Sequence, residues 1–191
     1  MSRRAPPSWI PNGRLDAGGW TLVDETTDTV FELPTATVEG HTLLYEDETL
    51  RHRVVDAGGA DRTWRFFFAT RLRFRPPLAS GVSPLVKPTV VSAAKRRFGD
   101  DLRDRGIRDV DRGRTETIRT DSNARARLTR YRGRLHVDES DLSVVGYLSV
   151  WYDDCFYVTG GAYPESGLDR WVDGDATRYR DELFDLIRAV G

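Results

Sequence analysis

The sequence has a single cysteine, very little lysine and no long apolar run. Among its 191 residues only Cys155 is a cysteine, so no disulfide can form within the chain and nothing requires an oxidising compartment. The Arg3-Arg4 pair is not followed by an apolar segment of signal-peptide length. No window approaches the ~18 uncharged apolar residues of a membrane span. These absences predict a cytoplasmic protein that does not contact a membrane.

Motifs of catalysis and cofactor binding are also missing. The sequence contains no G-x-S-x-G, no G-x-G-x-x-G, no Walker-type loop and no C-x-x-C or H-x-x-x-H pair. His41, His52 and His136 are far apart along the chain, and Cys155 among aromatic residues is typical of a small core residue. We therefore predict no catalytic residue, no cofactor, no metal site and no enzyme. A deep pocket that holds His136 or Cys155 beside a carboxylate would favour an enzyme instead.

Charge is distributed unevenly, although the net charge is only −1 and the proportions of hydrophobic (39%) and charged (31%) residues are those of a globular protein. Residues 51–135 carry 22 basic and 9 acidic side chains, whereas residues 1–50 carry 3 and 9, and residues 136–191 carry 4 and 12. Only Lys87 and Lys95 of the 29 basic residues are lysine. This arginine excess could serve oxoanion recognition, but a genome rich in arginine codons explains it better.

The segment TWRFFFATRLRFRPP, residues 63–77, predicts a strand with two different faces. Every second residue is apolar on one side: Trp64, Phe66, Phe68, Leu72 and Phe74. Arginines alternate with them on the other side: Arg65, Arg71, Arg73 and Arg75. Phe67 and Ala69 interrupt the arginine face, so we expect part of it to be covered, with the guanidinium groups reaching outward.

The remaining pattern divides into strands and two helices. Residues 1–19 predict a flexible lead-in, and residues 20–191 a single domain. WTLVDE and TVFELP predict strands, and ATVEGHTLLYED predicts a further strand or a strand pair. LRHRVVDAGG ends in a glycine turn that continues an antiparallel meander. A helix follows, with Val91, Ala94, Phe98 and Leu102 on one face, its start near Pro84 and Pro88 and its end at Gly106.

Four further strands are predicted after this helix, at RTETIRT, ARARLTRYRGRL, SVVGYLSVWYDD and CFYVTGGAY. SVVGYLSVWYDD is apolar at both parities, which predicts a central strand covered on both faces. A C-terminal helix begins after Asp173 or Asp175 as its N-cap. The order predicts an α+β fold with a mostly antiparallel sheet and helices packed on its faces.

This arrangement resembles the Mog/PsbP-like group of α+β sandwiches over residues 20–190. The resemblance lies in the FELP segment, the helix ending in LRDRGIRDV, the strand pair ending in CFYVTGGAYPE and the closing helix RDELFDLIRAV. Members of that group mostly act as binding or assembly modules, which is what the resemblance implies for this chain. The use of arginine over lysine is also similar to that of uncharacterised proteins from halophilic archaea.

Two hypotheses on function follow. The first is a non-catalytic binding or assembly module with a protein or small ligand as partner. The second is a nucleic-acid or polyanion binder, with these contact residues: Arg65, Arg71, Arg73, Arg125, Arg127 and Tyr131. The second requires the two arginine-rich strands to lie side by side, so that phosphates meet guanidinium groups and bases stack on aromatic rings. Otherwise the same arginines would pair with acidic side chains on the surface.

Overall fold

The computed structural model describes residues 7–191. Within them lie seven strands: β1 (Trp20–Leu33), β2 (Ala36–Asp47), β3 (Phe66–Arg75), β4 (Arg108–Arg119), β5 (Arg125–Val137), β6 (Ser140–Tyr152) and β7 (Phe156–Ser166). The helices described are α1 (Asn12–Ala17), α2 (Glu48–Asp56), α3 (Ser83–Asp104) and α4 (Ala176–Arg188), with a short 3-10 helix at Leu168–Arg170. The strands form one antiparallel sheet in the order β1-β2-β3-β7-β6-β5-β4. The predicted α+β class is confirmed.

The sheet consists of two meanders joined at one seam. β1 to β3 form the first meander and β4 to β7 the second, and Phe66–Leu72 of β3 pairs with residues 162–156 of β7 at the seam. Gly161 of β7 lies under this seam, where an added Cβ would overlap the carbonyl oxygen of Phe66 and lie 2.8 Å from Cδ1 of Leu183. Glycine is therefore required for β7 to approach α4 so closely.

The two long helices cover opposite faces of the sheet. Phe98 of α3 contacts Tyr131 edge-on at 5.0 Å between ring centres and lies over Gly146. Phe184 of α4 contacts Tyr147 edge-on at 4.7 Å. Because Gly146 and Tyr147 are neighbours in β6, their side-chain positions point to opposite faces. We call these sides the α3 face and the α4 face.

Several predicted elements are confirmed. α3 and α4 form where helical spacing predicted them, and Asp175 is the N-cap of α4, accepting from the backbone N–H of Thr177 and Arg178 at 3.0 Å. β6 is central and buried on both faces, as predicted. None of the described helices is long and apolar enough to cross a membrane.

Other segments differ from the prediction. LRHRVVD, assigned to the meander, forms α2, since Asp47 caps its first turn through Leu50 N–H at 2.8 Å and Leu50 and Val54 are buried. The lead-in predicted to be flexible contains α1, which is held by buried Trp9, Ile10 and Leu15; its residues 1–6 lie outside the described residues. WTLVDE and TVFELP form one long strand, β1, with two register shifts against β2.

Candidate functional site

The sheet order separates the arginines that the sequence suggested would converge. Arg71 and Arg73 lie on β3 and Arg125 and Arg127 on β5, with β7 and β6 between them. They also point to opposite faces. Phe67 pairs with Gly161, which lies against α4, so every second residue of β3 counted from Phe67, including Arg71 and Arg73, faces α4. Tyr131 packs against Phe98 of α3, so Arg125 and Arg127, which alternate with the same spacing as Tyr131, face α3. The hypothesis that the two arginine-rich strands lie side by side is therefore wrong.

Arg65 is not on the surface as predicted. Its side chain is 3% exposed, with Nη1 2.7 Å from Oδ2 of Asp47 and Nη2 2.8 Å from Oε2 of Glu182. Its guanidinium carbon lies 4.1 Å from the ring centre of Tyr179 and 4.9 Å from that of Trp20. The α4 face is covered at this end of β3, and the arginine is neutralised inside it. Arg65 thus links β3 to α2 and α4, and it offers no surface for a ligand.

Tyr131 is likewise inside the protein. It is 2% exposed, and its hydroxyl donates to the carbonyl oxygen of Lys95 at 2.9 Å. Burial raises the pKa of Tyr131 to about 12. The ring packs against Phe98, so a nucleic-acid base cannot stack on it, contrary to the role expected from the sequence.

Arg125 and Arg127 instead join a different group of basic residues on the α3 face. We define the basic surface as Lys95 of α3, Arg112 and Arg119 of β4, and Arg125 and Arg127 of β5. The register places Arg119 directly opposite Arg125, Thr117 opposite Arg127 and Arg112 opposite Tyr131. Nζ of Lys95 donates to Oγ1 of Thr115 at 3.1 Å, and that hydroxyl lies 2.9 Å from Oγ1 of the buried Thr129. These contacts fix the lysine at the border between helix and sheet.

Within residues 7–191 the basic surface has no acidic partner. None of its five side chains forms an ion pair with a carboxylate of residues 7–191, and Arg119 donates only to the backbone and side-chain oxygens of Asn123, at 3.3 and 2.8 Å. Burial lowers the pKa of Lys95, and the charges of Arg112 and Arg127 lower it further. Like charges directly across a strand pair, such as Arg119 and Arg125, are destabilising. An anion bound over this surface would relieve that repulsion.

The sequence analysis missed three of these five residues. The sequence pattern assigned no role to Lys95, Arg112 or Arg119. The signal available was the short connection between RTETIRT and ARARLTRYRGRL: a tight hairpin places the arginines that flank its turn opposite each other. The position of Lys95 beside these arginines could not be predicted from the sequence, because it depends on how α3 crosses the sheet.

A second group of polar residues surrounds Cys155, which the sequence suggested was a core residue. Nε of Arg71 donates to its Sγ at 3.1 Å, and Nη2 of Arg71 lies 2.9 Å from Oδ2 of Asp154. Cys155 and Asp154 both line a cavity of about 1100 Å³. This is the arrangement that we named as favouring an enzyme. However, burial raises the pKa of the thiol despite the hydrogen bond from Arg71, which disfavours the nucleophilic thiolate.

The histidines lie apart from one another. His41 pairs with Glu25 at 2.9 Å on the α4 face, and Nδ1 of His136 lies 2.9 Å from Asp141 at the far end of β5. His52 and Glu48, on α2, are 3.9 Å apart. In the part of the chain that the structure describes, no three His, Cys, Asp or Glu side chains come together as metal ligands do.

Comparison with known proteins gives one match. A family model described as "Domain of unknown function (DUF6517)" matches residues 7–191. No curated protein and no solved structure matches the chain. The resemblance to the Mog/PsbP-like group therefore stays a prediction.

Proposed function

We propose that this chain, which belongs to the DUF6517 family, is a non-catalytic module that binds the phosphate backbone of nucleic acid. The observation that carries the proposal is the basic surface, in which five cationic groups on one face lack an acidic partner among residues 7–191. A fold does not retain such repulsion for stability, because directly opposed like charges cost free energy. A polyanion supplies the missing negative charge.

The chemistry of the basic surface fits phosphates better than bases. Guanidinium groups donate in a planar fork that matches two phosphate oxygens. Arg125 and Arg127 are two positions apart on one strand, which places their Cα atoms about 6.6 Å apart on the same face. Tyr131 is buried, so its ring is not available for stacking beside Arg125 and Arg127. We therefore expect backbone contacts with little sequence preference.

The charge distribution across the sheet would also orient the molecule. β1, at the opposite edge from β4, carries Asp24, Glu25, Asp28 and Glu32 and no basic residue. A polyanion is repelled from that edge and attracted to the β4–β5 edge. Charge separation of this kind raises association rates, and its effect falls as salt is added.

A non-catalytic role is supported by the state of the nucleophile candidate. The raised pKa of Cys155 keeps its thiol protonated near neutral pH, and Arg71, which donates a hydrogen bond to its sulfur, cannot act as a base. His136, the other group named in the sequence analysis, is exposed and pairs with Asp141 outside this cavity.

The test is fluorescence anisotropy of a labelled DNA duplex and a labelled single-stranded RNA, titrated with protein between 50 and 200 mM salt. If all five side chains contact phosphates, log K for the duplex should fall with log salt at a slope of about −4.5. The double variant Arg125→Gln, Arg127→Gln should reduce that slope by about 2. No binding at 50 mM salt would overturn the proposal.

A matched control uses the same strand. Arg132 and Arg134 are exposed on β5 at the opposite parity, so they point away from the basic surface. The variant Arg132→Gln, Arg134→Gln removes the same charge from the same strand but should leave the slope within about half a unit of the unmodified protein. An equal loss in both double variants would mean that net charge, and not the basic surface, governs binding.

A further inference from the structure

The cavity beside Cys155 lies on the α4 face beside β1, β2 and β3, whereas the basic surface lies on the α3 face at β4 and β5. Its volume is about 1100 Å³, and its walls come from β1, β2, β3, the β6–β7 connection and the segment that precedes α1. Trp9 closes one side, 5.9 Å from the ring of His41 and 6.1 Å from that of Tyr157. A volume of this size accommodates a small organic molecule.

The cavity has a positively charged side chain whose charge is not neutralised. Its three carboxylates have cationic or histidine partners: Asp154 pairs with Arg71, Glu39 with Arg75 at 2.6 Å, and Glu25 with His41. Arg73 lies between Arg71 and Arg75 on the same face of β3 and directly opposite Glu39, whose carboxylate is taken by Arg75. Arg73 forms no ion pair with any residue from 7 to 191.

Apolar surface is exposed in the same cavity. Leu22 of β1 is 42% exposed and Tyr152 at the end of β6 is 40% exposed, and both line it, as do the buried Trp9 and Leu43. Large apolar side chains exposed around a concave site are typical of ligand-binding pockets. The cavity thus combines one unneutralised guanidinium with an apolar wall.

The backbone of β3 is also unpaired here. β7 begins at Phe156, opposite Leu72, so residues 73–75 have β2 on one side and no strand of the described chain on the other. A carboxylate held by the guanidinium of Arg73 could accept from a backbone N–H of this segment as well.

We propose that this cavity binds a small organic acid with an apolar body. The acid group pairs with Arg73, and the body lies against Leu22, Trp9 and Leu43. This site is separate from the basic surface and does not depend on nucleic-acid binding, because the two lie on different strands and on opposite faces of the sheet.

The experiment titrates the full chain with 8-anilino-1-naphthalenesulfonate, an anion with an aromatic body, and follows its fluorescence. We expect saturable binding that weakens about tenfold in Arg73→Gln, since a charge-assisted hydrogen bond of about 1.5 kcal/mol is lost. Leu22→Ser should weaken it as well. 2-Naphthoate should displace the probe, whereas neutral 2-naphthol of the same ring system should not. Equal affinity of Arg73→Gln and the unmodified protein, or displacement by both compounds alike, overturns the proposal.

Two controls separate this site from other causes of probe binding. Arg132→Gln removes an exposed arginine outside the cavity and should bind the probe unchanged. Each variant should keep the thermal midpoint of the unmodified protein, which excludes binding to a loosened core. The double variant Arg125→Gln, Arg127→Gln should bind the probe normally while losing nucleic acid, so either proposal can fail without the other.

Discussion

Replacing Arg65 by methionine should destabilise the protein by about 4 kcal/mol. The side chain of Asp47 is only 7% exposed, and it would keep the hydrogen bond from Leu50 N–H but lose its cation. Glu182 is less affected, because it is 28% exposed and retains Arg178 at 2.6 Å. Removing one partner of a buried pair costs about 3–5 kcal/mol, because the other charge is left buried without compensation. Methionine keeps most of the apolar stem that packs on Tyr179 and Trp20, so the loss measures mainly the charge.

Urea denaturation followed by circular dichroism at pH 7 measures this loss. Arg73→Met is the matched control: Arg73 lies on the same face, in the strand that begins directly after Arg65, is exposed, and its replacement should change the free energy of unfolding by less than about 0.5 kcal/mol. If Arg65→Met does not fold, Glu182→Gln tests the same network and should cost about 1–2 kcal/mol. A loss below about 1 kcal/mol for Arg65→Met, equal to that of Arg73→Met, would refute a stabilising role for the buried pairs.

Three further predictions concern charge repulsion, pH and packing. Arg125→Thr removes one member of the directly opposed Arg119–Arg125 pair and should weaken duplex binding. The variant should stabilise the fold by about 0.5 kcal/mol at low salt, where the repulsion is unscreened, and leave it unchanged at 1 M salt. Destabilisation at low salt would contradict this expectation. Burial opposes ionisation of Glu182, but hydrogen bonds from Arg178 and Arg65 outweigh it and lower its pKa. The stability that the ionised Glu182 contributes is therefore present above its ordinary pKa of 4.5 and is lost as the pH falls below that value. The urea midpoint should fall less between pH 7 and pH 3 in Glu182→Gln than in the unmodified protein. Gly161→Ala should prevent folding or cost several kcal/mol because its Cβ collides with the Phe66 carbonyl, whereas Gly113→Ala, with its nearest contact at 3.6 Å, should fold with an unchanged thermal midpoint.

The elements that the sequence predicted well are those whose pattern is decided locally. Helical spacing and the Asp175 cap defined α4, and apolar residues at both parities identified β6 as central. α2 was missed because its apolar residues are few and because its start depends on Asp47, which is also held by Arg65, 18 residues further along the chain. α1 has six residues and is held by tertiary burial of Leu15, which no local propensity reports.

The candidate site was predicted in part for the same reason. Parity correctly placed Arg125 and Arg127 on one face and Arg71 and Arg73 on one face, since alternation is a local property. Strand order is not a local property: β7 and β6 lie between β3 and β5, and the two pairs of arginines point to opposite faces of the sheet. Parity also put Arg65 on the arginine face, but it could not show that α4 covers that face near Glu182.

The single seam of the sheet has a consequence for synthesis of the chain. Each meander pairs strands that follow one another in sequence, but β3 meets its second neighbour only when β7 arrives, with Phe156 some 84 residues after Leu72. At a ribosomal rate of about 5–20 residues per second, the aromatic segment 66–72 waits roughly 4–17 s with one edge unpaired. During that interval the growing chain exposes an edge able to recruit other strands. Closure of the seam by β7, covered by α4 as the last residues emerge, ends that exposure.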